Sequence, residues 1–301
     1  MRNRIPVLFA CLMLAATVVR AGEPAAGDGA PAARVRTGTQ SAPRAVLTLA
    51  DQPLRLIRGA AVYKAGSGVA VQKDDILETG DAGAQVEAGP DAIVALGPHS
   101  RVLVAGLAPD GKSAVEMELL EGWIKVYAKN RRAVVVTPAL QVTLASGSTI
   151  VHAGGGQDAV FAEEGEQQAA RVDERGKAGA ALKLPAEQYA GVDAGKPQLA
   201  SGRPPRAFVG AMPPPFRDHL APAPDVKNAG KVPPAKEREA GFADVDDWLA
   251  STLPARRRFV ARFKPRLLDP DFRKQLDRAL GQSPDWKPVL HPVRPSNGSL
   301  F

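Results

Sequence analysis

One stretch constrains this chain more than any other. Between residues 69 and 160 the sequence runs as short valine-rich segments: 84–87, 93–96, 101–104, 115–119, 123–127, 133–136, 140–144 and 149–152. Gly, Pro, Asp, Asn or Ser punctuates nearly every junction. Runs of this length, split by residues that tolerate turns, predict strands rather than helices. Leu54-Arg55-Leu56-Ile57-Arg58 alternates in the same way, and no helix of useful length fits between Val46 and Gly191. The expectation is a mainly β body over residues 46–201.

The alternation also sets which way the strands face. In Val115-Glu116-Met117-Glu118-Leu119 the strand period of two sends Val115, Met117 and Leu119 to a core and both glutamates to the opposite face. A slip of one residue would bury two carboxylates without partners. Ala133-Val134-Val135-Val136 is apolar throughout and is expected to be covered on both faces.

From Gly202 the composition changes. Arg203-Pro204-Pro205, Met212-Pro213-Pro214-Pro215 and Pro233-Pro234 suit extended polyproline backbone, so residues 202–241 read as a Pro-rich linker. Phe208, Met212 and Phe216 are apolar enough to staple it to the β body. Residues 242–301 read as a short helical segment. Asp244 is expected to cap a helix with Val245, Trp248, Leu249 and Leu253 on one stripe. Pro254 opens a second, carrying Phe259, Val260, Phe263 and Leu267, which Pro265 ends or kinks. Asp269-Pro270 starts a third, with Phe272, Leu276 and Leu280 inward and Gly281 as the stop.

The N-terminus reads as an export signal. Arg2 and Arg4 precede an apolar run over residues 5–19, and Val19-Arg20-Ala21 carries the small residues that signal peptidase recognises. Cleavage is expected after Ala21, leaving a disordered leader at 22–45 and a periplasmic protein. Cys11 is the only cysteine and lies inside the signal, so the processed chain has no disulfide. Charge is uneven: residues 203–301 hold 18 basic and 11 acidic side chains, residues 22–202 hold 18 and 21. A basic tail on an acidic body suits an acidic surface, and export argues against nucleic acid.

Several motifs, taken in order, resemble those of FecR-type domains. Gln72-Lys73-Asp74-Asp75-Ile76-Leu77-Glu78-Thr79 resembles the entry strand "x-x-G-D-x-I-x-T", with Asp74 where the family has Gly. Ala92-Ile93-Val94-Ala95-Leu96-Gly97-Pro98-His99-Ser100 resembles "x-I-x-L-x-P-x-S". Leu119-Leu120-Glu121-Gly122-Trp123-Ile124-Lys125-Val126, Val135-Val136-Thr137-Pro138 and Phe161-Ala162-Glu163-Glu164-Gly165 resemble the "L-x-x-G-x-v-x-v", "v-x-T-P" and "v-x-E-G" segments. The resemblance implies a β-solenoid-like or rolled β-sandwich domain of the cell envelope. It implies a module without catalytic residues that binds a protein partner or relays a signal, here without the family's anti-sigma segment or membrane span.

The chemistry carried by the remaining motifs is thin. Gly106-Leu107-Ala108-Pro109-Asp110-Gly111-Lys112-Ser113 fits G-x-x-x-x-G-K-[ST], but a period-two segment follows it where a phosphate loop needs a helix, so it reads as a hairpin loop and not a nucleotide site. His99, His152, His219 and His291 have no metal-ligand spacing. Ser146 and Ser148 lack a hydrolase elbow, and Glu163, Glu164 and Glu166 read as a solvated turn. No catalytic, cofactor or metal set is expected. The basic run of Arg256, Arg257, Arg258, Arg262, Lys264 and Arg266 crowds like charges on one helix, which nearby anions would relieve. Arg256, Arg257, Arg258, Arg262, Arg266 and Trp248 are therefore the candidate partner-binding residues. Their expected counterpart is an envelope protein or, alternatively, an acidic envelope glycan or anionic lipid surface. The competing reading pairs these arginines with Asp244, Asp246 and Asp247.

Overall fold

The computed structural model describes residues 45–107, 113–193 and 199–292. The expected signal peptide, the leader up to residue 44 and positions 108–112 of the 106–113 loop lie outside the described residues. In chain order the strands are β1 (Ala45–Ala50), β2 (Leu54–Arg58), β3 (Ala61–Ala65), β4 (Ala70–Val71), β5 (Ile76–Glu78), β6 (Ala84–Ala88), β7 (Ala92–Leu96), β8 (Arg101–Leu107), β9 (Ser113–Ala128), β10 (Arg132–Val136), β11 (Leu140–Leu144), β12 (Gly147–Ala153), β13 (Gln157–Glu164), β14 (Gln167–Val172), β15 (Ala178–Leu184), β16 (Gln188–Asp193), β17 (Ala200–Gly202) and β18 (Ala235–Glu239). The helices are α1 (Arg206–Ala211), α2 (Asp246–Ala250), α3 (Arg256–Phe263), α4 (Pro270–Leu280) and α5 (Lys287–Leu290).

The fold is mainly β, as the turn punctuation predicts. Its strands form a curled sheet folded into two layers around one core. The first layer runs β4-β1-β6-β7-β9-β12-β13-β16-β17. The second runs β18-β3-β2-β5-β8-β9-β10-β11-β14-β15, antiparallel except where β10 lies parallel to β9. Val86, Val94, Val126 and Val151 of the first layer meet Leu56, Leu77, Val104, Met117 and Val142 of the second in a core of aliphatic side chains. Val115, Met117 and Leu119 are buried there, as the alternation requires. Val134 and Val136, expected to be covered on both faces, are half-buried, Val136 at the margin of the second layer's cover.

β9 belongs to both layers and makes the corner of the roll. Its first half pairs with β8 and β10, its second with β7 and β12. The sequence predicts two strands here, yet the backbone runs through as one, bent at Gly122. That residue has φ +96°, and a Cβ on it would lie 2.6 Å from Ser100 Cα. Gly122→Ala is therefore expected to lower stability by about 2–3 kcal/mol, from left-handed strain and the backbone contact together. Urea denaturation measures it; an unchanged midpoint would mean that the corner relaxes freely.

Both outer faces of the roll are covered. On the second layer, register aligns Val62, Ile57, Ile76 and Leu103 into one outward row, ending at Glu118. Trp248, Leu249, Phe259, Phe263, Phe272, Leu276 and Trp286 pack onto that row. The helices thus form a cover and not a detached tail. α4 follows its sequence signals closely: Asp269 accepts from the Asp271 and Phe272 N–H groups, and Gly281 ends the helix. Asp244 differs from expectation. It sits in a 3-10 turn, and its carboxylate takes Arg55, Arg238 and the Gly241 N–H instead of capping α2.

Glu118 is caught under this cover. Only 3% exposed, it accepts a hydrogen bond of 3.0 Å from the Ala255 N–H. Burial, the largest influence, pushes its carboxyl above the ordinary range, while the Ala255 N–H and Arg258 oppose that rise. The folded chain thus holds this proton more tightly than the unfolded one. The associated stability is full below the unfolded value and is lost as pH rises through the raised folded value. Glu118→Gln keeps the acceptor without the charge. It is expected to raise the Tm at pH 7, with the gain shrinking below about pH 4. Thermal denaturation at both values checks it, and an equal gain at each would refute the titration argument.

On the first layer the outward row is Leu49, Gln85, Ala95, Lys125, Ile150, Phe161 and Tyr189. The segment expected to be linker lies across it as a strap. α1 and the 3-10 turn Pro214–Arg217 bury Phe208, Met212 and Phe216 against Ala95, Ile150 and Tyr189. Proline suits this position, since a strap on an apolar face joins no ladder and its missing N–H leaves nothing unpaired. The strap then passes Val69, which bridges Val232, and ends as β18 on the edge of the second layer.

Candidate functional site

The arginine run does not present an open cationic face. Arg262 is half-buried and tied to its own chain's backbone: Nε donates to Gly59 O at 2.6 Å, Nη1 to Asp74 O at 2.6 Å and Nη2 to Ile57 O at 2.9 Å. Burial brings its pKa down to about 10, so it is still charged at neutral pH. Arg266 donates to Ala240 O and Asp269, Arg258 pairs with Asp74 at 3.0 Å, and Arg256 faces Asp285 at 3.1 Å. Arg257 points to solvent. Trp248 is wholly buried, its Nε1 donating to Glu78 Oε1 at 3.2 Å. The structure thus separates the six candidates: Trp248 lies in the core, four arginines are tied to intramolecular acceptors, and Arg257 and Arg258 are exposed, Arg258 while paired with Asp74. The acidic partners also differ from those expected, since Asp244 and Asp247 hold Arg55 and Arg101.

The motif residues act as brackets of the scaffold. Asp75 takes Arg58 through two bonds of 2.8 and 2.6 Å and caps the Gln72 N–H. Asp74 has φ +68°, in the left-handed region that glycine adopts most readily. Thr79 Oγ1 accepts from the Ser100 N–H, and Ser100 Oγ exchanges hydrogen bonds with the backbone of Trp123. Thr137 Oγ1 donates to the buried Asp158 at 2.6 Å. The G-x-x-x-x-G-K-[ST] segment is flanked by β8 and β9, which pair antiparallel, so a strand follows it.

The histidines and the acidic turn are likewise engaged. His99 faces Asp81 at 3.3 Å, His219 faces Glu164 at 3.0 Å and His291 faces Asp277 at 2.8 Å. His152 packs on Trp123, and burial holds its pKa below the usual value. Glu163 accepts from Lys125 and from Ser148, and Glu166 lies 3.3 Å from Lys183. Among the described residues no three His, Cys, Asp or Glu side chains gather in metal-binding geometry.

What the fold leaves open is a groove of about 430 Å³ at the uncovered end of the first layer's row. Leu49, Ala84 and Leu96 supply its floor, and Pro213, Pro214, Pro215, Phe216 and Leu220 of the strap supply its wall. Asp51 and Asp81 stand at its mouth. Its volume falls in the range of about 300–1,000 Å³ typical of ligand sites. Leu49 is 45% exposed, although Leu47, two residues earlier, is fully buried. A second cleft, lined by Arg55, Glu78, Arg101 and Glu121, is closed chemically by the ion pairs of both arginines with Glu78.

Sequence reasoning missed Leu49, because Leu47 and Leu49 share a face in any regular strand. It also missed Lys125, whose lone charge in Trp123-Ile124-Lys125-Val126-Tyr127 was a readable sign of a partner on the outer face.

Two crystal structures of a "putative anti-sigma factor" from Parabacteroides distasonis are similar to this chain, both at 15% identity. The TM-scores are 0.37 and 0.36, over 45% of this chain and 63% and 62% of those chains. The chain thus spans less than two thirds of the length of each. No family model matches the sequence. No curated protein matches it.

Proposed function

We propose that this chain is a non-catalytic interaction module of the cell envelope, exported to the periplasm, which binds a protein partner in the manner of a signal relay. The observation that carries this reading is the division of labour among its side chains. The polar motif residues hold turns and corners, and the open concave surface at the end of the first layer is apolar. Catalysis needs convergent polar groups in one cavity, whereas recognition of a protein segment needs apolar anchors with a few charges at the rim. The ordered FecR-type motifs support the same assignment. An acidic-glycan partner has less support, since Arg256, Arg258, Arg262 and Arg266 of the arginine helix already face acceptors of the chain itself.

The test is affinity capture on the immobilised chain from envelope extract, alongside turnover assays with wall polymer and nucleotides. Stoichiometric recovery of one protein, with no turnover, is the expected result. An empty capture, or turnover of either substrate, overturns the reading.

A further inference from the structure

Building on the reading of this chain as a binding module, we propose that the Leu49 groove receives a linear segment of the partner protein in which aliphatic side chains adjoin a basic residue. The first argument is the backbone of β1. Leu47 pairs with Val86 and Leu49 with Gln85, so two steps along β1 match one step along β6. Thr48 is the inserted residue, and its hydroxyl donates to Gln85 O at 3.3 Å. Without this bulge Leu49 would follow Leu47 into the core; with it, Leu49 faces outward on the row with Gln85 and Ala95. Bulges re-aim side chains, and here the side chain re-aimed is a leucine left 45% exposed in a concave site.

The second argument is where the strap stops covering. It buries the row from Ala95 to Tyr189, then turns away along the groove, held by Gln85 Nε2 to Ala221 O and by the Ala223 N–H to Glu87. The wall it leaves consists of three consecutive prolines, which offer no N–H to a ligand, and of the apolar Phe216 and Leu220. Affinity must therefore come from apolar contact.

The third argument is charge. Ala50 pairs with Ala84, so Asp51, just beyond β1, and Asp81, just before β6, lie at the same end of the groove. Both carboxylates are exposed. His219 of the lining already faces Glu164, and Asp81 faces the exposed His99. A lysine or arginine beside the aliphatic anchors completes this rim, and an acidic residue there is repelled. Rim charges chiefly set selectivity and association rate, while the anchors set residence.

The experiment selects random twelve-residue peptides displayed on phage against the immobilised full chain. The most enriched peptide is then synthesised and titrated by fluorescence anisotropy against wild type, Leu49→Glu and Asp51→Asn/Asp81→Asn. Enriched sequences are expected to place Lys or Arg next to two or more aliphatic residues. Leu49→Glu should weaken binding at least tenfold, and the double Asn variant about two- to fivefold with a flatter salt dependence. No enrichment, an acidic consensus, or undiminished binding to Leu49→Glu overturns the proposal. So does self-association abolished by Leu49→Glu, which would give the groove to a second copy. A captured envelope protein held equally by wild type and Leu49→Glu would remove the groove while leaving the module reading intact.

Discussion

Trp248→Ala is expected to lower the stability of the chain by about 3–5 kcal/mol, the range for emptying a buried aromatic site. Trp248 is fully buried between the outward row of the second layer and the helices, edge-on to Phe259 with ring centroids 6.3 Å apart. Its Nε1–H reaches Glu78, which also receives Arg55 and Arg101. Arg55 in turn binds Asp244, and Arg101 binds Asp247. The indole is thus the apolar centre of a seam whose polar rim joins β2, β5 and β8 to α2 and the turn before it. Removing it leaves a cavity and deprives a buried carboxylate of one donor. Trp248→Phe separates the two effects: it fills most of the volume and loses the hydrogen bond, so about 1.5–3 kcal/mol is expected. Urea denaturation followed by both far-UV circular dichroism and tryptophan fluorescence gives the values. The two probes should move together, because the helical cover and the sheet share the cluster around Ile57, Ile76 and Leu103. A β signal that melts at the wild-type midpoint while the helical signal is lost would show that the cover is a separate unit.

How much of this was readable beforehand depends on how local each signal is. The strands were readable because turn residues and alternation lie within each segment, and α4 because its cap, proline and stop all fall between Asp269 and Gly281. The orientation of Leu49 was not, because a bulge is a mismatch between two strands, and the sequence of β1 alone carries no trace of it. The arginine run misled for a related reason. Arg262 is satisfied by three backbone carbonyls, which every sequence supplies and none advertises. Asp244 has the sequence signature of a local cap, yet one of its partners is Arg55, 189 positions away. The scaffold was therefore visible where interactions are short in sequence. The open surface was hidden because it is defined by what longer-range packing fails to cover.

One buried cation ties the strap that walls the groove to the sheet, and Lys125→Ala is expected to loosen it at a cost of about 3–5 kcal/mol. Lys125 is 0% exposed and donates to Glu163 at 2.8 Å, Phe216 O at 2.9 Å and Asp218 O at 2.8 Å. All three N–H bonds of its ammonium therefore have acceptors, two of them on the strap. Alanine would leave the Glu163 carboxylate with Ser148 as a remaining donor and two strap carbonyls without one. Lys125→Met fills the space without the charge and should cost nearly as much. The double variant Lys125→Met/Glu163→Leu, in which no buried charge is stranded, should recover a large part of the loss. Limited trypsin digestion supplies the structural readout, because Arg217 lies in the 3-10 turn that Lys125 holds through Phe216 O. Cleavage after Arg217 should speed up in the Ala and Met variants well below their unfolding midpoints, and stay fast in the double variant, which removes the stranded charge but restores no donor to the strap carbonyls. If stability falls while that cleavage rate stays at the wild-type level, then Phe208, Met212 and Phe216 hold the strap by apolar contact, and the ammonium serves the sheet alone.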